Sequence, residues 1–170
     1  MKRNYITFIF LLSFGLSYSQ QKSINFIISI DDMLPTSNLV ITKIEYLDNQ
    51  NNKYSLEGKI IYYPGKMIFT NEDFYKLTSN KINKIYIYIH YWYDCGINTI
   101  HYNYVIEMNP ALLKKTYLIL YIYNLDKKKY RRIYFPISKN RNYTYYFKYP
   151  SSYQGRLVQK RLTREQRRCK

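Results

Sequence analysis

The sequence predicts an all-β chain: an antiparallel β-sandwich, immunoglobulin-like or similar, of about eight strands with one short helix. Three observations carry this. From Ile85 to Trp92 the residues alternate in period two, with Ile85, Ile87 and Ile89 on one side and Tyr86, Tyr88, His90 and Trp92 on the other. Such a period belongs to a strand with one apolar face, and β-branched and aromatic residues favour the pleated surface. Short apolar runs recur along the chain with turn signals between them. Strands do not alternate with helical patterns, which argues against a parallel βαβ fold.

The elements follow in order. Ser23–Ile30 reads as the first strand, stopped by Asp31-Asp32 and Pro35. Leu39–Leu47 is the second, followed by the polar turn at residues 48–52. Glu57–Tyr63 is the third, stopped by Pro64-Gly65, and Met67–Thr70 is a short fourth. Thr70 or Asn71 can cap a short helix, with Glu72 and Asp73 in its first turn and Phe74 and Leu77 towards the core. Lys84–Tyr93 and Thr99–Met108 then form a hairpin, and Thr116–Asn124 follows a connection through Asn109-Pro110. Lys129–Ile137 and Asn142–Tyr149 complete the set, with Pro136 expected at a strand edge or end because it has no N–H to donate.

The two ends read differently from the middle. Residues 1–20 have the pattern of a secretory signal peptide: Lys2 and Arg3, an apolar run from Ile6 to Leu16, then Ser17-Tyr18-Ser19 before Gln20. That run is too short to span a bilayer, and no second run of spanning length follows, so no transmembrane helix is expected in the mature chain. The expected sandwich domain covers residues 21–155. Residues 156–170 form a basic C-terminal tail in which Thr163-Arg164-Glu165-Gln166 resembles a capping box. The leader implies a secreted or periplasmic location in the cell envelope. Oxidising conditions there permit a disulfide between Cys95 and Cys169, whose loop of about 75 residues would contribute roughly 4 kcal/mol on a chain-entropy basis. Asn142-Tyr143-Thr144 is a glycosylation sequon, relevant only in a eukaryotic host.

Charge points towards anionic partners. The formal net charge is +16, and removing Lys2 and Arg3 leaves +14. A field of that size attracts acidic glycans, lipid headgroups or nucleic acid. Lys, Asn, Ile and Tyr are all abundant while Ala111 is the sole alanine, a bias that AT-rich codons also produce. The 23 tyrosines are therefore weaker evidence than their spacing.

The candidate site is the second face of the Ile/Tyr strand. Tyr86, Tyr88, His90 and Trp92, with His101 from the next strand, form the expected binding surface. Tyr91 and Tyr93 add to the local aromatic area. Rings of this kind stack on sugar faces or bases at low entropic cost, and basic neighbours hold phosphates or sulfates. A two-residue Cys95-Gly96 turn would set His90 opposite His101, Trp92 opposite Thr99 and Tyr88 opposite Asn103. The two histidines would then have Cβ atoms about 5 Å apart. Two imidazoles are short of a closed Zn²⁺ or Cu²⁺ site, so no metal and no cofactor is assigned.

Catalytic signatures are missing from the sequence. It has no Gly-x-Ser-x-Gly, no His-Glu-x-x-His and no glycine-rich phosphate loop. Asp31-Asp32 and Glu72-Asp73 are adjacent pairs suited to turn and helix-start chemistry rather than to an acid/base dyad. The expectation is a non-enzymatic binding module for an anionic glycan or envelope surface, with no specific nucleic-acid partner. Two alternatives are a structural protein that assembles through its sheet edges, and a small outer-membrane β-barrel.

Overall fold

The computed structural model describes residues 21–56 and 60–150. The leader, the first residues of the expected third strand, the basic tail and Cys169 lie outside the described residues. Nine strands occur among those described: β1 (Gln21–Ile30), β2 (Leu39–Asp48), β3 (Lys53–Ser55), β4 (Ile61–Tyr63), β5 (Gly65–Thr70), β6 (Ile82–Cys95), β7 (Asn98–Met108), β8 (Leu118–Asn124) and β9 (Tyr143–Lys148). They form two sheets, one in the order β4-β5-β1-β8-β9 and one in the order β3-β2-β6-β7. The all-β sandwich expected from the sequence is present. The two sheets are separate and do not close into a barrel, so the architecture is not that of the outer-membrane alternative. Every named strand pair is antiparallel except β1 and β8, which run parallel.

Alternation builds the core between the sheets. Phe26, Ile28 and Ile30 of β1 and Leu118, Leu120 and Ile122 of β8 are buried from one side. Ile44, Ile85, Ile87, Ile89 and Ile106 meet them from the other. Each such side chain contributes about 1.5–3 kcal/mol by leaving water. Helix α1 (Asn71–Leu77) covers one end of this core. Thr70 caps it by accepting a hydrogen bond from the Asp73 backbone N–H at 3.1 Å, and Leu77 is fully buried.

Three turns show how local chemistry fixes the strands. Pro64 and Gly65 form the tight β4–β5 turn, Gly65 taking the positive φ of +93°. Asp31 and Asp32 both adopt positive φ, 54° and 68°, and fold Met33 back onto Ile30 with two backbone hydrogen bonds. Aspartate tolerates this region better than most residues. The β6–β7 turn consists of Gly96 and Ile97, not Cys95 and Gly96, because Cys95 pairs with Asn98. Gly96 has φ +65° while Ile97 stays out of the left-handed region, so the glycine occupies the first position, as a type II′ turn requires. A Cys-Gly turn would have put the cysteine where glycine is needed.

One expected strand is absent. Over residues 129–137 the chain forms a short helix, α2 (Lys128–Arg131), and then an irregular segment through Pro136. Lysine and arginine are good helix formers. Tyr130 anchors the turn by packing on Tyr123, ring centroids 4.9 Å apart, and by donating its hydroxyl to Asp32 at 2.8 Å.

β7 is an edge strand, yet part of its outer edge is closed by side chains. The Tyr143 hydroxyl accepts from the Val105 N–H at 2.8 Å and donates to the Val105 carbonyl at 3.0 Å. Tyr145 does the same for Glu107, at 2.8 and 3.2 Å. Arg141 donates a further hydrogen bond to the Val105 carbonyl. Two phenols from β9 thus stand in for a missing neighbouring strand and close that side of the sandwich. Replacing both by Phe leaves two backbone N–H groups without these acceptors, each worth about 1 kcal/mol. The Tyr143→Phe/Tyr145→Phe variant is expected to melt several degrees lower in thermal circular dichroism and to self-associate more through the bared edge. A melting temperature equal to that of the parent would show that the caps are not stabilising.

Candidate ligand-binding face

β6 is a central strand, flanked by β2 and β7, and its alternation sorts its side chains cleanly. Ile85, Ile87, Ile89 and Tyr91 point into the core, none more than 4% exposed. Tyr86, Tyr88, His90 and Trp92 point the other way and are half-buried by their neighbours on the sheet. On the same face β7 contributes His101, Asn103 and Glu107, all exposed, and β2 contributes Val40 and Lys43, also exposed. The five residues expected at the site therefore share one solvent-facing surface.

The corrected turn changes their pairing. His90 faces Asn103, Trp92 faces His101 and Tyr88 faces Val105, a shift of two residues along β7 from the expected register. A shift of two preserves the face on which every side chain lies, whereas a shift of one would have reversed it. His90 and His101 are consequently diagonal neighbours, and they still touch. Their rings stack with centroids 5.3 Å apart, and His101 Nδ1 lies 3.3 Å from His90 Nε2. Trp92 also stacks on His90, at 5.5 Å. The result is a row of three rings on a continuous hairpin, with His90 in contact with both Trp92 and His101. Asn103 accepts a hydrogen bond on Oδ1 from His90 Nδ1 at 2.8 Å. Asn38 grips the far side of Trp92, accepting from its backbone N–H at 3.0 Å and donating its side-chain amide to its carbonyl.

The β2 side of the face is electrostatic. Glu45 is 7% exposed and sits beneath Lys43, Lys53 and Tyr88. It accepts from Lys53 Nζ at 2.5 Å, from Lys43 and from the Tyr88 hydroxyl at 2.5 Å. Burial would raise its carboxyl pKa, but the hydrogen bonds from Lys43, Lys53 and Tyr88 outweigh that and hold it at about 2. The bond to Glu45, with burial, pushes the Tyr88 phenol up. Lys84 pairs with Glu107 at 2.8 Å further along. Each lysine on this face is thus held beside a carboxylate, and the face carries far less local charge than the chain as a whole.

Neighbouring aromatics divide between structure and surface. Tyr91 and Tyr93 turn to the inner side and stack with Tyr102 and Tyr104, so they belong to the sandwich interior and its open end rather than to the outer row. A second cluster lies on the five-stranded sheet, where Tyr121 stacks on Tyr146 at 4.7 Å and Tyr123 sits between Tyr130 and Tyr134. Asp32 accepts from Lys129 and Tyr130 there.

Comparison of the chain with protein-family models, with curated proteins and with solved structures gave no match. The geometry alone therefore carries the functional reading. Among the described residues no group of three or more His, Cys, Asp or Glu side chains is placed to hold a metal ion. A shallow depression of about 320 Å³ at the β7 edge holds His101 and Asp126 but leaves out His90. Cys95 is exposed at the end of β6. Sequence reasoning missed Glu45 and Asn103. Glu45 interrupts an otherwise apolar stretch beside Ile44 and Tyr46, and a lone acid there signals a partnered carboxylate. Asn103 is reached only through the correct register.

Glu45 links this face to pH. Its folded pKa lies below the ordinary value of 4.5, so its ion pairs stabilise the fold fully above about pH 5. That stability is lost as pH falls from about 4.5 through about 2. Glu45→Gln is expected to cost about 2 kcal/mol at pH 7, measured by urea unfolding, and to lose the penalty by pH 2. An equal penalty at both pH values would show that the carboxylate charge is not the stabilising element.

Proposed function

We propose that the chain is a non-enzymatic binding module of the cell envelope or secreted space, and that the outer face of β6 and β7 docks an acidic glycan. The observation that carries this reading is the solvent-facing ring ladder of Trp92, His90 and His101, continued by Tyr88 and Tyr86 along one strand. A row of rings fixed on a hairpin presents a preorganised aromatic surface without the entropic cost of ordering loops. Successive residues on one face of a strand lie nearly 7 Å apart, a spacing suited to an extended chain ligand. The lysines beside the row are oriented by Glu45 and Glu107, so they offer positioned N–H donors rather than diffuse charge. Long-range attraction for a polyanion comes from the +16 charge of the whole chain.

The assembly alternative finds less support at β7, where Tyr143, Tyr145 and Arg141 already occupy the backbone groups of Val105 and Glu107. Those groups cannot template another strand while the caps are in place.

Trp92→Ala is expected to weaken binding to a heparin-type acidic glycan about tenfold, in line with 1–3 kcal/mol per stacked ring. Tyr75→Ala, which removes an exposed ring on α1, serves as the control and should leave affinity unchanged. Isothermal titration of both variants at low and moderate salt separates stacking from charge: the Trp92 loss persists at both, while absolute affinity falls with salt. Equal affinities for parent and Trp92→Ala would overturn this reading.

A further inference from the structure

The contact between His90 and His101 has the bond pattern of a metal chelate. Asn103 Oδ1 can only accept a hydrogen bond, so His90 Nδ1, 2.8 Å away, carries a proton. In the neutral ring this leaves a lone pair on His90 Nε2, and that nitrogen faces His101 Nδ1 at 3.3 Å. When both rings are neutral, one proton, on His101 Nδ1, fits between them. Two imidazole nitrogens each about 2.0–2.1 Å from one tetrahedral metal ion are themselves about 3.3 Å apart. The spacing found in the protein is that spacing.

Asn103 supplies a second requirement. Metal-bound histidines commonly donate the other ring N–H to a carbonyl or carboxylate, which fixes the tautomer and aims the lone pair. His90 has this support from a residue directly opposite it on β7. His101 is exposed, so its Nε2 and the space beyond the pair are open to solvent.

We propose that His90 Nε2 and His101 Nδ1 form a bidentate surface site for a late divalent transition metal, Cu²⁺ or Zn²⁺, with Asn103 as positioning residue. On binding, the metal takes the place of the proton on His101 Nδ1, and that proton moves through solvent to His101 Nε2, so the neutral pair keeps its proton count. No third His, Cys, Asp or Glu joins them among the described residues. The remaining positions therefore go to water or to an anionic oxygen of a ligand. The site shares His90 and His101 with the proposed glycan face, but its test uses the metal ion alone and does not depend on glycan recognition.

Trp92 is the only tryptophan in the chain and stacks on His90, so it reports the site directly. Cu²⁺ titrated into the full-length protein, in a Cys95→Ser/Cys169→Ser background that removes thiol ligands, is expected to quench Trp92 fluorescence saturably at one equivalent. His90→Gln and His101→Gln should each weaken the binding by tenfold or more. Asn103→Ala should weaken it about tenfold and Asn103→Asp should restore it. Zn²⁺ should raise the melting temperature of the parent and not of either histidine variant. Quenching that survives both histidine substitutions, or that disappears only with the cysteines, would overturn the assignment. So would a flat Zn²⁺ response in a protein whose circular dichroism is native.

Discussion

The sandwich is tied together by one buried carboxylate. Asp31 directly follows β1, with its side chain 3% exposed, and accepts hydrogen bonds on both oxygens from Asn124, the last residue of β8: backbone N–H at 2.8 Å and side-chain amide at 2.9 Å. Lys127 pairs with the same carboxylate at 2.8 Å. Asn124 then accepts the Tyr104 hydroxyl at 2.9 Å, and Tyr104 belongs to β7 in the opposite sheet. The chain of bonds locks the ends of the parallel pair β1 and β8 and docks the β6–β7 hairpin on it. An uncompensated charge at this depth would cost several kcal/mol, so each member of the set is needed by the others. The ring ladder on the outer side of the hairpin is held in place by this anchor on the inner side.

A tyrosine-rich interior imposes the same constraint repeatedly. Burying a phenol ring is favourable, but its hydroxyl must find a partner. The fold meets this by spending hydroxyls on backbone groups that lack strand neighbours. Tyr62 accepts from the Ile28 N–H, and Tyr143 and Tyr145 each serve both backbone groups of a β7 residue. Among the described residues no buried side-chain nitrogen or oxygen is left without a partner. Burial pushes the phenol of Tyr145 up to about 12 and that of Tyr104 higher still, which keeps these hydroxyls protonated and able to donate across the ordinary pH range. Tyrosines that serve the fold are thus distinguishable from those on the outer row, where Tyr88 alone is tied to a carboxylate.

Face parity was legible in the sequence because it depends only on a period of two. The alternation from Ile85 to Trp92 assigned each side chain to its side before any pairing was known, and the helix cap at Thr70 followed from local chemistry alone. Register was harder. It turned on whether Gly96 takes the first or second place in a two-residue turn, and only the requirement for a positive φ at the first place of a type II′ turn decides that. Residues 129–137 were misread because Tyr130, Ile133 and Phe135 look like strand residues, while a tertiary contact, the Tyr130 hydroxyl on Asp32, holds a helical turn instead. Glu45 and Asn103 were invisible for a related reason. Their roles exist only across strands, Glu45 with Tyr88 over 43 positions and Asn103 with His90 over 13.

Diagonal contact, rather than direct opposition, gives the histidine pair its chemistry. The two-residue shift puts Asn103 in the opposed position, where a short amide fits and can bond to the His90 ring. It moves His101 one step along the same face, beside Trp92 and diagonal to His90, far enough for the rings to lie nearly parallel at 22° and for one nitrogen of each to meet. The same register therefore sets the ring row, orients the His90 tautomer and leaves the outer side of His101 open. All three follow from which residue of the β6–β7 turn can adopt a left-handed backbone, and glycine at position 96 answers that.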